Sequence, residues 1–170
     1  KLFIVTNKNA PHSKLILVDP TNPNEENWKS IIPESKDVLK SVSLVGGKLF
    51  AEYLKDANTK VTVHNIEGKE LYELTLPGIG TAYGFNGKKD YTELFYTFTS
   101  FNYPPTIFKY DIEKNESEIF RKSNVKFNPD EYETKQVFYA SKDGTKIPMF
   151  ITHKKGLELN SENPTLLYAY

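Results

Sequence analysis

The sequence predicts a mainly β fold made of β-propeller blades, and three observations carry that reading. Eleven Tyr and eleven Phe stand among 170 residues, against a single Trp, and aromatic side chains suit pleated, half-buried surfaces. No stretch shows the spacing of a long amphipathic helix. A strand pattern also recurs at a constant interval of 46 residues, in runs that start at Lys14, Lys60 and Thr106. Four short strands at such a period are what one propeller blade requires.

The repeated runs are Lys14–Asp19, Lys60–Asn65 and Thr106–Asp111. Each ends in Asp or Asn, whose side chains open turns by bonding nearby backbone. Upstream of them lie Leu2–Thr6, Leu49–Leu54 and Glu93–Phe98, and downstream Trp28–Ile32, Glu70–Leu76 and Glu116–Arg121. A fourth element, Ser41–Val45 or Thr81–Phe85, leads into the next unit. A β-sandwich or meander shares the short strands and regular turns. Spacing that holds over three units favours the propeller.

Beyond Ser123 the pattern changes. Ser123–Glu133 is polar and turn-forming, with the properties of an inter-domain linker. Thr134–Tyr139 and Thr145–His153 read as two strands around Ser141-Lys142-Asp143-Gly144, and Asp-Gly suggests a tight primed hairpin turn. Pro148 marks its strand as an edge or a bulge. The apolar run Pro164–Tyr170 reads as a strand covered on both faces. With strand character at both ends, the chain is expected to be an internal stretch of something longer.

Composition excludes several classes of function. Lys plus Arg equals Asp plus Glu at 22 each, so no electrostatic footprint marks a nucleic acid or a membrane surface as partner. No apolar run approaches the ~20 residues of a membrane-spanning helix. The absence of cysteine removes disulfides, thiolate metal sites and a cysteine nucleophile. It fits the cytoplasm and is compatible with a periplasm.

Val137-Phe138-Tyr139-Ala140-Ser141-Lys142-Asp143-Gly144-Thr145-Lys146-Ile147-Pro148-Met149-Phe150-Ile151 continues through His153-Lys154-Lys155-Gly156 to Pro164 and Leu167-Tyr168-Ala169-Tyr170. In order and spacing this resembles the entry of the prolyl oligopeptidase family into its α/β-hydrolase domain. Phe95–Phe101, Pro104-Pro105 and Ile107–Asp111 resemble the family's last propeller blade. The resemblance implies a seven-bladed propeller that caps an α/β-hydrolase domain and restricts access to it. Residues 1–125 would then be the C-terminal blades, 126–133 a linker and 134–170 the start of the peptidase domain.

The implied reaction is serine-type hydrolysis of short peptides on the carboxyl side of proline. It needs no metal or organic cofactor, and short proline-containing peptides are the implied partners of a monomeric parent. The family's Ser-His-Asp triad lies beyond the equivalent of Tyr170, and no Gly-x-Ser-x-Gly elbow occurs in this sequence. The segment by itself is therefore expected to be inactive. By the same resemblance Tyr170 is the hydroxyl donor to the oxyanion, although Ala169 replaces the family's Gly before it.

Read from the residues alone, Tyr170 is a strand tyrosine with a satisfied hydroxyl. His64 reads as structural, while His12 and His153 have no partner arrangement. Phe101 and Tyr103 either face a substrate channel or pack a blade edge, the latter being commoner. Glu113–Glu118 reads as a solvated hairpin tip. The rival reading of the whole is a freestanding β-repeat interaction module without catalysis.

Overall fold

In a computed structural model, which describes residues 1–169, the chain forms three antiparallel meanders and a separate hairpin. The first sheet runs β1 (Leu2–Thr6), β2 (Lys14–Val18) and β3 (Lys29–Ile32). The second runs β4 (Val38–Val45), β5 (Lys48–Lys55), β6 (Asn58–His64) and β7 (Glu70–Glu73). The third runs β8 (Thr81–Asn86), β9 (Glu93–Ser100), β10 (Tyr103–Asp111) and β11 (Glu116–Arg121). In each sheet every strand pairs with its neighbour in sequence, which is the connectivity of a propeller blade. The elements expected to lead into the next unit, β4 and β8, are the first strands of the following sheets.

The middle sheet buries both faces, because strand side chains alternate. Phe50, Val61 and Val63 pack towards the third sheet with Val45, Phe85, Tyr96, Phe98 and Tyr110. Leu49, Ala51 and Tyr53 point the other way, onto Leu15, Ile31 and Ile32 of the first sheet. Burying each large apolar side chain contributes about 1.5–3 kcal/mol, so the two seams hold the sheets face to face. Aromatic rings dominate the second seam: Phe85 stacks on Tyr96 at 4.8 Å and Tyr96 on Phe108 at 5.2 Å. Here the tyrosine and phenylalanine content of the sequence finds its use.

Gly68 sets the spacing of the first seam. Its φ is +92°, and a Cβ built there would lie 1.9 Å from the Ile31 carbonyl oxygen. The turn between β6 and β7 can approach β3 this closely only without a side chain.

The hairpin is β12 (Tyr132–Ala140) and β13 (Lys146–Lys154), preceded by the 3-10 turn Pro129–Glu131. β12 starts two residues ahead of the expected Thr134. Its loop also differs from the expected primed turn. Gly144 takes φ +84°, whereas Asp143 is not among the positive-φ residues. Ser141 N–H donates to Thr145 O and Gly144 N–H to Ser141 O. The loop is thus a β-turn followed by one left-handed glycine, the three-residue form of hairpin connection. Pro148 pairs with Phe138 in a strand with a neighbour on one side only, where a missing N–H is tolerated.

Residues 164–169 are not a strand, contrary to expectation. Strand geometry persists where a neighbouring strand takes up the backbone N–H and C=O groups, and this segment belongs to none of the four sheets of the described residues. Leu166 and Leu167 are exposed. Tyr170 lies outside the described residues.

Candidate functional site

The hairpin meets the blades at one end of the sheets, where the β5–β6 and β9–β10 turns emerge. Lys55 pairs with Asn58 around Asp56-Ala57, and Ser100 pairs with Tyr103 around Phe101-Asn102. These two-residue turns hold equivalent places in successive blades. Both central residues of the first turn have positive φ, +47° at Asp56 and +62° at Ala57, as a primed hairpin turn requires.

Alternate residues of β12 reach both turns. The Thr134 hydroxyl donates to Asn102 Oδ1 at 2.8 Å, and Asn102 Nδ2 donates to the Tyr132 carbonyl at 3.3 Å. Two residues along, Gln136 Nε2 donates to the carbonyl oxygen of Asp56. Phe150, opposite Gln136 on β13, packs against Phe101 with ring centroids 5.6 Å apart. The Phe101–Phe150 pair, together with Ala57, Ile79, Gly80 and Thr99, lines a cleft of about 290 Å³. One face of the hairpin therefore bridges the second and third blades.

On the opposite face of the hairpin, Glu133 and His153 are directly paired across the strands. His153 Nδ1 donates to the Lys154 carbonyl at 3.0 Å. Its Nε2 is buried without a hydrogen bond, 3.6 Å from Glu133 Oε1. Glu133 also receives Lys135 Nζ at 3.0 Å, and that bond holds its carboxyl below the usual range.

The other histidines are structural. His64 Nδ1 donates to Gly68 O at 3.1 Å, so Nε2 accepts from the Thr62 hydroxyl at 2.7 Å. His12 Nδ1 donates to Ser35 O at 2.9 Å. Tyr103 packs edge-on against Phe98 at 5.4 Å, as blade packing predicts, while Phe101 is 68% exposed before the cleft. Among the described residues no group of His, Asp or Glu has the arrangement of a metal site. The hydroxyl–imidazole pair of Thr62 and His64 is buried in the middle sheet.

Asn102, Thr134 and Gln136 were not legible as contact residues in the sequence. Asn102 reads there as a turn residue beside Tyr103-Pro104-Pro105, and Thr134 and Gln136 as polar strand positions. Their partners lie 32 and 80 residues away, beyond any local pattern.

Successive antiparallel meanders packed face to face, with a hairpin seated on the turns of two of them, define part of a β-propeller. The family profile described as the prolyl oligopeptidase N-terminal β-propeller domain matches residues 1–123. The chain belongs to the prolyl oligopeptidase family. It is 47% identical over 169 residues to the prolyl endopeptidase of Elizabethkingia miricola, covering 99% of this chain and 24% of that protein. It is 35% identical over 180 residues to the prolyl endopeptidase of Dictyostelium discoideum, again over 99% and 24%.

Solved structures agree. A chain from a structural and mechanistic study of two prolyl endopeptidases superposes with a TM-score of 0.83 at 44% identity, over 92% of this chain and 23% of that one. Prolyl oligopeptidase B from Galerina marginata, in its apo form, gives 0.80 at 34% identity over the same 92% and 23%. The chain spans about a quarter of the length of these relatives.

Proposed function

We propose that this chain is the blade-and-hairpin section of a serine oligopeptidase that hydrolyses short peptides on the carboxyl side of proline. Residues 1–125 serve as C-terminal blades of a seven-bladed propeller, 126–133 as the linker, and 134–170 as the opening of an α/β-hydrolase domain. The propeller gates access, and compact or long substrates are excluded by its walls. The single observation that carries the reading is the seating of β12–β13 on the turns of two successive blades, in a chain of this family.

The chemistry would be acyl transfer. A serine supplied outside these residues attacks the proline carbonyl while a histidine takes its proton and passes it to the departing amine, and water then hydrolyses the acyl-enzyme. Within this chain Tyr170 is assigned the oxyanion: its hydroxyl donates to the oxygen that gains negative charge. The section alone carries no triad and is inactive, and the working protein acts as a cytoplasmic monomer. Its partners are proline-containing peptides, neither nucleic acid nor membrane.

The test uses the natural protein that contains this chain. Reporter peptides with proline, alanine or arginine before the scissile bond are compared, alongside labelling by a serine-directed phosphonate. Cleavage confined to the proline reporter and abolished by labelling is expected. No turnover and no labelling, with retained binding of a folded partner, would favour the interaction-module reading.

A further inference from the structure

Asn102 engages both the oxygen and the nitrogen of its amide at the meeting point of blade and hairpin. Its Oδ1 accepts from Ser100 Oγ at 3.0 Å within its own turn and from Thr134 Oγ1 at 2.8 Å in β12. Its Nδ2 donates to the Tyr132 carbonyl at 3.3 Å. Thr134 is fixed in turn by the Thr152 hydroxyl at 3.0 Å. Because Thr134 gives its proton to Asn102, Thr152 must donate to Thr134, so the bonds run in one direction from β13 through β12 to the third blade.

The second blade is held differently. Gln136 reaches only the Asp56 carbonyl, on a turn whose main-chain oxygen any residue could supply. On the third blade's own turn, the Phe101–Phe150 contact is apolar and non-directional. Register and orientation between blade and hairpin therefore depend on Asn102.

We infer that Asn102 is a positioning residue: it pins the β12–β13 hairpin to the turn of the third blade and thereby limits the parting of hairpin and blades through which a long substrate would pass. This rests on the gating reading proposed above. When the pin is broken, the hairpin lifts from the turns, and its two-stranded pairing, marginal without that seat, opens more often. The blades beneath it lose a strap that spans two of them.

Three variants of the natural protein test this: Asn102→Ala, Thr134→Val, which keeps the shape and removes the donor, and the double variant. Hydrogen exchange is followed at amides of residues 132–136 and in the blade cores. A net hydrogen bond is worth about a factor of ten in such an equilibrium. Exchange near 132–136 is expected to rise about tenfold in either single variant and no further in the double, with blade cores unchanged. The ratio of kcat/KM for a long proline peptide to that for a short one is measured in parallel, and should rise.

Unchanged exchange in both single variants overturns the pin. Raised exchange with an unchanged size ratio leaves the pin standing and sinks the gating reading instead. Should Asn102→Ala fail to fold, Thr134→Val reads the same bond from the other side.

Discussion

The phenolic oxygens of Tyr72 and Tyr110 lie 3.0 Å apart across the seam between the second and third blades. Tyr110 donates to Asn115 Oδ1 at 2.7 Å, so its oxygen accepts from Tyr72. Lys48 Nζ, which has only protons to give, supplies Tyr72 at 3.4 Å and the Ile112 carbonyl at 3.0 Å. One directed chain of donors thus crosses the seam from Lys48 to Asn115. Burial, then the bond to Tyr72, pushes the Tyr110 hydroxyl far above the ordinary tyrosine range.

Breaking that chain in its middle should cost more than its two bonds taken singly. Tyr110→Phe leaves Asn115 Oδ1 without its donor and the Tyr72 proton without its acceptor, a loss of about 1–3 kcal/mol. Tyr72→Phe should cost less, since Tyr110 keeps its acceptor. Denaturant unfolding of both variants and the double should show coupling of roughly 0.5–3 kcal/mol. Strict additivity would show that the two hydroxyls act independently.

Gly68 and Gly47 make a matched pair for a backbone test. Both have positive φ, but a Cβ on Gly47 meets nothing within 4 Å, while one on Gly68 would penetrate the Ile31 backbone. Gly47→Ala should cost about 1 kcal/mol from conformation alone. Gly68→Ala must also push β3 away from the β6–β7 turn and should cost more than about 4 kcal/mol. Equal unfolding midpoints for the two variants would refute the close-contact account.

Blade strands were legible because they are local runs rich in aromatic and β-branched residues, several of them ended by Asp, Asn or Gly, as at Asn7, Asp19, Gly46, Asp56 and Asn65. Leu2–Thr6 and Glu116–Arg121 fall at the residues read as strands, and the runs from Lys14, Lys60 and Thr106, 46 residues apart, all lie in strands. Pro164–Ala169 has the same local character and is no strand, because pairing requires a neighbour that no sequence window contains. The Asp143-Gly144 loop was legible as a hairpin but not as a turn type, since only Gly144 needs the left-handed region. Asn102 and Thr134 became a contact only when the third blade and the hairpin came together.

The oxyanion role proposed for Tyr170 has a test that separates binding from chemistry. In the natural protein Tyr170→Phe removes one hydroxyl donor and keeps the ring. Loss of an oxyanion donor lowers kcat by about 10²–10³ while leaving ground-state binding alone. A proline reporter should therefore show that fall in kcat with KM little changed. A raised KM at unchanged kcat would move Tyr170 from the oxyanion to substrate binding.

Glu52 gives the fold a pH dependence of its own. It stands opposite Ser41 in the β4–β5 ladder, and the Ser41 hydroxyl donates to its Oε1 at 2.6 Å. Burial raises its carboxyl above the ordinary value, and the Ser41 bond offsets only part of that. A raised folded-state value means the fold favours the protonated acid. Glu52's contribution is therefore fully present below the unfolded value near 4.3. It is lost as pH rises through the folded value. Glu52→Gln keeps the acceptor for Ser41 and removes the charge. The variant should match the wild type near pH 4 and exceed it at pH 7.5, with Tm higher by on the order of 1–3 °C. Thermal unfolding of both proteins across that range measures the gap. A gap that closes or reverses towards neutral pH would mean the Glu52 carboxylate is better solvated than its half-buried place between the blades implies.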